Sequence, residues 1–267
     1  MTTALDDIDW LTRSENRVQA PDLLAEQPPT RAELLEAVDV SRVTFNRMRE
    51  ALEEKGWIAQ TNRNRGYELT PCGRLVIDEV SSSLEAATIS QKLRDIQRYF
   101  LTNEFDFGLE RLGDARITRP TPSNTIAPLN RLGELFTIAD ERLWAFVSAF
   151  DMVAAQAAHE VYIENDGTSD AILTSAAFNT VLDNPGMADI CAEISKAGAA
   201  FYRYEGEDPL YSLNVCNGTA VLELNDGKGG VPAVIESDDE AILAWTEETF
   251  ERYKRESELL DTEAFTN

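Results

Sequence analysis

Three arginines and no carboxylate lie within the nine residues 41–49, "SRVTFNRMR", although the whole chain carries 48 acidic and only 24 basic residues. Arginine side chains bond guanine edges and phosphates, and asparagine bonds adenine edges. A surface that faces a polyanion must exclude acids, because each carboxylate there repels phosphate. This short cationic segment therefore predicts contact with nucleic acid.

The charge balance changes along the chain. Residues 1–10 hold three acids, and residues 11–74 hold ten basic and ten acidic residues, which leaves 24 − 10 = 14 basic and 48 − 3 − 10 = 35 acidic residues in 75–267. An acidic excess over most of the length is typical of a halophilic protein, whose surface must stay soluble in concentrated salt. The alternative is an acidic surface for a partner. Residues 11–74 are therefore the part of the chain without an acidic excess.

The cationic segment has the pattern of an amphipathic helix over about 41–54. Phe45, Met48 and Leu52 fall on one side at helical spacing, as a buried stripe does. Ser41 is a suitable N-cap. The opposite side of the first two turns is polar and cationic.

The flanking elements predict a winged helix-turn-helix. "TRAELLEAVD" opens with the capping-box pair Thr30 and Glu33, and it precedes the cationic helix across a short turn. After that helix, "WIAQT" and "GYELT" are two short strands around a basic wing, 61–66. Thr70 and Pro71 then suit the N-cap and first position of a further helix.

The predicted DNA-binding residues lie before the cationic helix, on its outward side and on the wing. They are Thr30, Arg31, Ser41, Arg42, Thr44, Asn46, Arg47, Arg63 and Arg65. The helix would enter the major groove of double-stranded DNA, and the wing would follow the backbone or the minor groove. Two alternatives stay open: an ordinary solvated helix face, and a protein-interaction adaptor that reuses the winged helix.

The fold class expected is α+β and α/β, in three parts. A winged helix-turn-helix DNA-binding domain covers 1–74, a linker helix that pairs subunits of a homodimer covers 75–101, and an α/β sensor-like domain covers 102–267. The alternative for 75–101 is a packing helix within one domain. Within the last part, strands alternate with helices and then pair as a hairpin across Asn217–Gly218. Ser237 and Glu240 predict a capping box for a final helix over about 238–258.

A small-molecule effector is expected to bind in the third part, through hydroxyl, amide and cationic side chains. The candidates are Arg119, Thr121, Ser123, Asn124, Arg203, Tyr204 and Tyr211. Packing within a loop or at a strand edge is the competing explanation for each of them.

Little in the sequence supports catalysis, and we expect no enzymatic role, cofactor or metal. Cys72, Cys191 and Cys216 form no CxxC pair, which argues against a disulfide framework and a zinc cluster. "DGKGG" lacks the strand–helix context of a phosphate-binding loop and predicts a turn. No apolar run reaches the roughly 18 residues of a membrane span, and the acidic start lacks the order of a signal peptide. A cytoplasmic protein is expected.

Several segments of the sequence resemble those of a known protein family. "PPTRAELLEAVDVSRVTFNRMREALEEKGWI" and "GYELTPCGRLV" resemble the winged-helix regulators of haloarchaea. "RITRPTPSNTIAPLNRLGELF" and "VIESDDEAILAWTEETFERYKRESE" resemble a group in which an effector domain of the kind named after a methanogenesis regulator follows the winged helix.

The resemblance spans most of residues 11–258 and implies a phospholipase D-like fold for the effector domain. A catalytic phospholipase D site needs histidine–lysine pairs. The chain has one histidine, His159, and no lysine stands two residues after it, so the resemblance implies a domain without that activity. Two departures are Pro21, which would kink or restart the first helix, and the long wing tip "TNRNRG".

Overall fold

The computed structural model describes residues 3–26, 36, 38, 40–61, 66–100, 104–137, 142–150, 152–164 and 168–266. The chain divides into two compact units, Met1–Gln91 and Lys92–Asn267. Each has its own buried core.

The first unit is mostly helical. Its described helices are α1 (Ala4–Thr12), α2 (Glu15–Glu26), α3 (Arg42–Glu54) and α4 (Pro71–Leu93), the last of which ends just past the boundary between the units. Strands β1 (Ile58–Gln60) and β2 (Tyr67–Leu69) form an antiparallel pair. The two strands flank the predicted wing.

Helix α1 was not expected from the sequence. Thr3 caps it, because the Thr3 side chain accepts from the Asp6 backbone N–H and the Asp6 side chain accepts from the Thr3 N–H. These hydrogen bonds lower the pKa of Asp6. The spacing Thr-x-x-Asp was the local signal for this capping box.

Two other local expectations can be compared with the structure. Helix α2 runs from Glu15 to Glu26 with Pro21 inside it, so the expected restart at the proline does not occur. Helix α4 begins at Pro71 as predicted, and the Thr70 hydroxyl accepts from the Gly73 N–H at 3.0 Å. It ends at Leu93, short of the predicted end at 101, and a 3₁₀ turn follows at Gln97–Phe100.

The core of the first unit gathers apolar residues from every described element. Its buried members include Leu11 of α1, Leu24 of α2, Phe45 of α3, Trp57 and Ile77. The apolar stripe of α3 therefore faces inward, which leaves its opposite side toward solvent.

The second unit is built on an eight-stranded mixed sheet. Its strands are β3 (Arg116–Thr118), β4 (Arg142–Val147), β5 (Thr168–Thr174), β6 (Ala200–Tyr204), β7 (Tyr211–Cys216), β8 (Thr219–Leu224), β9 (Ala233–Ser237) and β10 (Glu258–Leu259). The strand order is β10-β6-β5-β4-β7-β8-β9-β3. Only the β4–β5 and β5–β6 pairings are parallel. The short edge strands β3 and β10 were missed from the sequence.

Helices cover both faces of this sheet. They are α5 (Ala127–Thr137), α6 (Met152–Glu164), α7 (Ser175–Asp183), α8 (Pro185–Lys196) and α9 (Glu240–Arg255). Successive residues of β4 show the two faces: the Phe146 ring stacks on Tyr253 of α9 at 4.1 Å, whereas Val147 packs with the cluster that α5 to α8 form. Opposite pointing of neighbouring side chains is the normal property of a strand.

The cap of the last helix differs from the prediction. Asp239 is the N-cap of α9, and its side chain accepts from the Ala241 and Ile242 N–H groups. Ser237 instead accepts from the Asp239 N–H. The predicted Ser237–Glu240 capping box is therefore wrong, because Ser237 still belongs to β9 and the acid two residues later captures the free amides.

The hairpin across Asn217–Gly218 is present. Both residues have positive φ, 49° for Asn217 and 78° for Gly218. A two-residue turn with positive φ at both positions matches the twist of the strands that it joins.

Candidate nucleic-acid interface

The N-terminus of α3 is held by Ser41. The Ser41 hydroxyl accepts from the Thr44 N–H at 3.2 Å and lies 2.9 Å from the Thr44 hydroxyl. Both residues are exposed. A helix N-terminus whose remaining N–H groups point outward favours an anion such as a phosphate.

The first two turns of α3 separate into an inner and an outer side. Phe45 and Met48 are 3% and 6% exposed. Arg42, Val43 and Arg47 are exposed, and Val43 retains 61% of its accessible surface. The predicted outward residues therefore share one accessible side, together with the half-buried Asn46 and the exposed Thr44.

The three arginines of the cationic segment do not have the same surroundings. Arg49 is half-buried, donates to Glu53 at 2.6 Å and to Glu50 at 3.0 Å, and lies 5.8 Å from the Tyr67 ring. Arg42 and Arg47 form no hydrogen bond or ion pair with the part of the chain that the structure describes. Arg49 is thus occupied by its own protein, and the other two guanidinium groups are available to a ligand.

A cleft beside α3 brings in a residue that the sequence did not suggest. It encloses about 240 Å³, and its lining includes Ser14, Asn16, Arg17, Thr44 and Arg47. The Arg17 guanidinium lies 4.6 Å from the Trp10 ring and donates to the Trp10 carbonyl, which fixes it at this wall. No pattern in the sequence linked Arg17 to Arg47, because the two residues come to line one cleft only through the packing of α2 near α3.

Four of the predicted DNA-binding residues fall outside the described residues. They are Thr30, Arg31, Arg63 and Arg65. The strands β1 and β2 beside the last two are paired in register, from Ile58–Leu69 to Gln60–Tyr67.

The predicted effector loop of the second unit is partly occupied by internal contacts. Arg119 donates to both carboxylate oxygens of Asp95, at 2.8 and 3.1 Å, and to the Lys92 carbonyl. The Arg119 hydrogen bond lowers the pKa of Asp95. Thr121, Ser123 and Asn124 are exposed in a tight turn that Thr121–Asn124 backbone hydrogen bonds close.

The remaining effector candidates do not converge on one cavity. Arg203 packs over the Phe178 ring at 5.3 Å. Tyr204 packs edge-on against the rings of Phe146 and Tyr253. Tyr211 is buried, and its hydroxyl donates to Glu104 at 2.8 Å and contacts the Tyr253 hydroxyl at 3.0 Å.

Burial is the largest of the effects that raise the pKa of Tyr211 above its ordinary value, and the hydrogen bonds of its hydroxyl raise that pKa further. Tyr204 and Tyr211 thus join the sheet to α9, and Arg203 joins it to α7.

A larger polar cavity lies elsewhere in this unit, beneath α5 at the β8–β9–β3 edge of the sheet. It encloses about 600 Å³. Three arginines and four carboxylates line it: Arg111, Arg116, Arg131, Asp114, Glu236, Asp238 and Asp239. None of them was predicted from the sequence, because they come from three separate stretches of the chain, 111–116, 131 and 236–239.

His159 contacts a carboxylate, and two of the three cysteines are buried, whereas Cys72 is exposed. His159 Nε2 lies 2.6 Å from Glu193 Oε2. Burial raises the pKa of Cys191 and Cys216 to about 12, so both thiols stay protonated. Over the described ranges, no group of three or more His, Cys, Asp or Glu side chains could hold a metal ion, and no helix is long and apolar enough to cross a membrane.

Two family models match the chain. Residues 5–92 match the HVO_A0261 N-terminal domain, and residues 126–256 match the middle domain of the methanogenesis regulatory protein FilR1. The first match extends across the predicted boundary at 74 into the predicted linker helix, and the second lies within the predicted third part. No curated protein matches the chain significantly.

Solved structures share coarser similarity. TrmBL2, an archaeal chromatin protein with a novel mode of DNA binding, is 14% identical with a TM-score of 0.41, covering 96% of this chain and 99% of that one. Nuc from Salmonella typhimurium, a phospholipase D family member, is 8% identical with a TM-score of 0.44, covering 55% and 97%. NucT from Helicobacter pylori is 9% identical with a TM-score of 0.42, covering 55% and 99%.

Proposed function

We propose that this protein is a sequence-specific DNA-binding transcription regulator with a winged helix in its first unit and an effector-controlled second unit. The second family model is named for a regulatory protein, which supports regulation as the role. The observation that carries DNA binding is the outer side of α3, where Arg42 and Arg47 are exposed and acids are absent from residues 41–49.

In this proposal α3 enters the major groove with its N-terminal turns. Arg47 would bond a guanine edge, Asn46 an adenine edge, and Val43 would contact a thymine methyl group. Arg17, which lines the same cleft as Arg47, and Ser41 at the helix start would hold the phosphate backbone in register. Thr30, Arg31, Arg63 and Arg65 extend the same interface in the proposal.

A homodimer fits the proposal, because paired winged helices contact half-sites about one DNA turn apart. The acidic excess in 75–267 fits adaptation to concentrated salt. At high salt the gain from counterion release shrinks, so base-edge hydrogen bonds and groove shape would supply more of the binding free energy.

The test is a DNA-binding measurement on the full chain with an operator selected from random duplexes. Arg47→Ala is expected to weaken binding to that operator by about 1–3 kcal/mol, because a base contact is lost. The matched control is Arg13→Ala, which removes an exposed arginine of α1's end that is paired with Asp9. Its affinity should stay unchanged.

Two results would contradict the proposal. One is an Arg47→Ala variant with unchanged operator affinity at the working salt concentration. The other is a failure of selection, or of chromatin immunoprecipitation followed by sequencing, to return a reproducible motif. The second result would favour the protein-interaction adaptor.

A further inference from the structure

Two lining residues of the polar cavity at the β8–β9–β3 edge, Arg131 and Glu236, are hydrogen-bonded to each other. Arg131 Nε donates to Glu236 Oε1 at 2.9 Å, and Arg131 Nη2 donates to Glu236 Oε2 at 2.6 Å. The third donor direction of Arg131 reaches Glu134 at 2.9 Å. Both hydrogen bonds to Glu236 are charge-assisted and parallel, which is the strongest geometry for this pair of side chains. Neither Arg131 nor Glu236 is left for a ligand.

The pairing of β3 with β9 determines where several of the other lining residues lie. Arg116 of β3 lies opposite Glu236 of β9. Two residues after Glu236, Asp238 accepts a hydrogen bond from the Thr219 hydroxyl at 2.6 Å. Asp114 lies two residues before Arg116, the first residue of β3. Arg116, Asp238 and Asp114 all line the cavity.

The remaining pair lies at the start of α9. Arg111 donates to both oxygens of Asp239, at 3.2 and 3.0 Å, and Asp239 also caps the helix. Burial raises the pKa of Asp239, but the backbone and Arg111 hydrogen bonds outweigh it and leave the pKa below its ordinary value. This pair is ionised and internally satisfied.

Some of the charged residues at the cavity pair with each other, and the charges that remain are of both signs. Arg131 is matched by Glu236, and Arg111 by Asp239. Arg116 remains, with a side chain 65% exposed and only a 3.8 Å approach to Glu236 as a charge contact among the described residues. Asp238 and Asp114 remain as exposed carboxylates. A purely anionic ligand would be repelled by the two acids, and a purely cationic one would leave Arg116 without a partner, whereas a zwitterion uses charges of both signs.

We propose that this cavity binds a small zwitterion of the α-amino acid type. Arg116 would hold the ligand carboxylate, and Asp238, supported by Asp114, would hold the ammonium group. The volume of about 600 Å³ lies in the range of about 300–1,000 Å³ that small-molecule sites occupy. Ser237 and Thr219 also line the cavity, and their hydroxyl groups bond the Asp239 N–H and Asp238.

The inference deepens the proposed effector control and rests on it for its biological meaning. Because β9 leads directly from Glu236 to the Asp239 cap of α9, a ligand between Arg116 and Asp238 would contact the segment that sets the start of α9. The test uses the DNA-free chain, so its failure would leave the DNA-binding proposal standing.

The experiment is calorimetric titration of the full chain with each protein α-amino acid at millimolar concentration and constant salt. At least one is expected to bind. Two analogues of each binder, one without the ammonium group and one without the carboxylate, should bind about tenfold or more weakly, because each loses a charged hydrogen-bonding partner.

Two variants locate the site. Arg116→Gln and Asp238→Asn should each weaken the same amino acid about tenfold or more. Their matched controls remove the same charge from exposed positions outside the cavity, Arg255→Gln and Asp106→Asn, and should bind as the parent chain does. Circular dichroism checks that each variant is folded; if Asp238→Asn is not, Arg116→Gln and the analogue series still decide.

Several results would overturn the inference. They are the absence of binding by every amino acid, unchanged affinity in Arg116→Gln, and equal binding of an analogue that lacks one of the two charged groups. Preferential binding of inorganic phosphate would also overturn it, because the site would then select an anion alone.

Discussion

The outer side of α3 and the polar surface of the second unit use arginine differently. Arg42 and Arg47 are exposed and make no ion pair with the described residues, whereas Arg119 and Arg131 each hold a carboxylate with two hydrogen bonds. An arginine that its own protein has already paired is part of the architecture. An arginine that is kept away from acids, in a chain with twice as many acids as bases, is available to a partner.

The largest effect should come from the inner side of α3. Phe45→Ala is expected to lower the free energy of unfolding by about 3–5 kcal/mol, because the ring is 3% exposed and its loss leaves a cavity. Urea denaturation at constant salt measures the change.

The control for this prediction is Val43→Ala on the outer side of the same helix. Val43 is 61% exposed, so the change should stay within about 0.5 kcal/mol. Equal losses in the two variants would show that α3 does not have the two sides described.

A smaller effect is expected when an internally paired arginine is removed. Arg131→Met should destabilise the chain by about 2–3 kcal/mol, because Glu236 is only 9% exposed and would keep only the 3.8 Å contact with Arg116. Adding Glu236→Gln to the same chain should restore most of the loss, since no charge then remains unpaired. Chemical denaturation measures both variants.

The comparison for Arg131 is a solvent-exposed pair in the first unit. Arg13 and Asp9 are 72% and 53% exposed. Arg13→Met should therefore cost about 0–1 kcal/mol. If it costs as much as Arg131→Met, the distinction between paired architecture and solvated surface fails.

The smallest effect concerns Arg119 and pH. Since the Arg119 hydrogen bond holds the pKa of Asp95 below its ordinary value, the pair contributes stability above the unfolded pKa of about 3.9. That contribution is lost as the pH falls through the lower folded pKa.

In Arg119→Gln the pKa of Asp95 should rise, and stability near neutral pH should fall by less than about 1 kcal/mol, because Asp95 is 59% exposed. The difference from the parent chain should vanish in acid. Carboxyl-carbon NMR titration measures the pKa, and Arg42→Gln is the control that should leave it unchanged. An unshifted Asp95 would return Arg119 to the list of effector contacts.

Local patterns predicted most of the elements. The helix expected over about 41–54 is Arg42–Glu54 with Ser41 as its cap, and the hairpin at Asn217–Gly218 forms where positive φ was required. Both depend on residues within a few positions of each other. The edge strands β3 and β10 were missed because they have three and two residues, too few to show an alternating pattern.

The predicted site residues that the structure shows near one another are those that a single element carries. Arg42, Thr44 and Arg47 are exposed on the first turns of α3 because helical spacing keeps them off the buried stripe, and Ser41 caps that end of the helix. Arg17 was missed because its place beside Arg47 depends on how two helices pack. The predictions for Arg203 and Tyr211 rested on residue type alone, and the structure shows both in packing contacts.

By itself, the sequence determined the amphipathic helix, its caps, the hairpin turn and the exclusion of acids from residues 41–49, since each of these depends on neighbours along the chain. Tertiary structure decided which cations stay unpaired. Arg116, Arg131 and Glu236 are far apart in sequence and meet only through strand register and helix packing. An ion pair is a property of distance in space, and the order of residues does not contain that distance until the chain is folded.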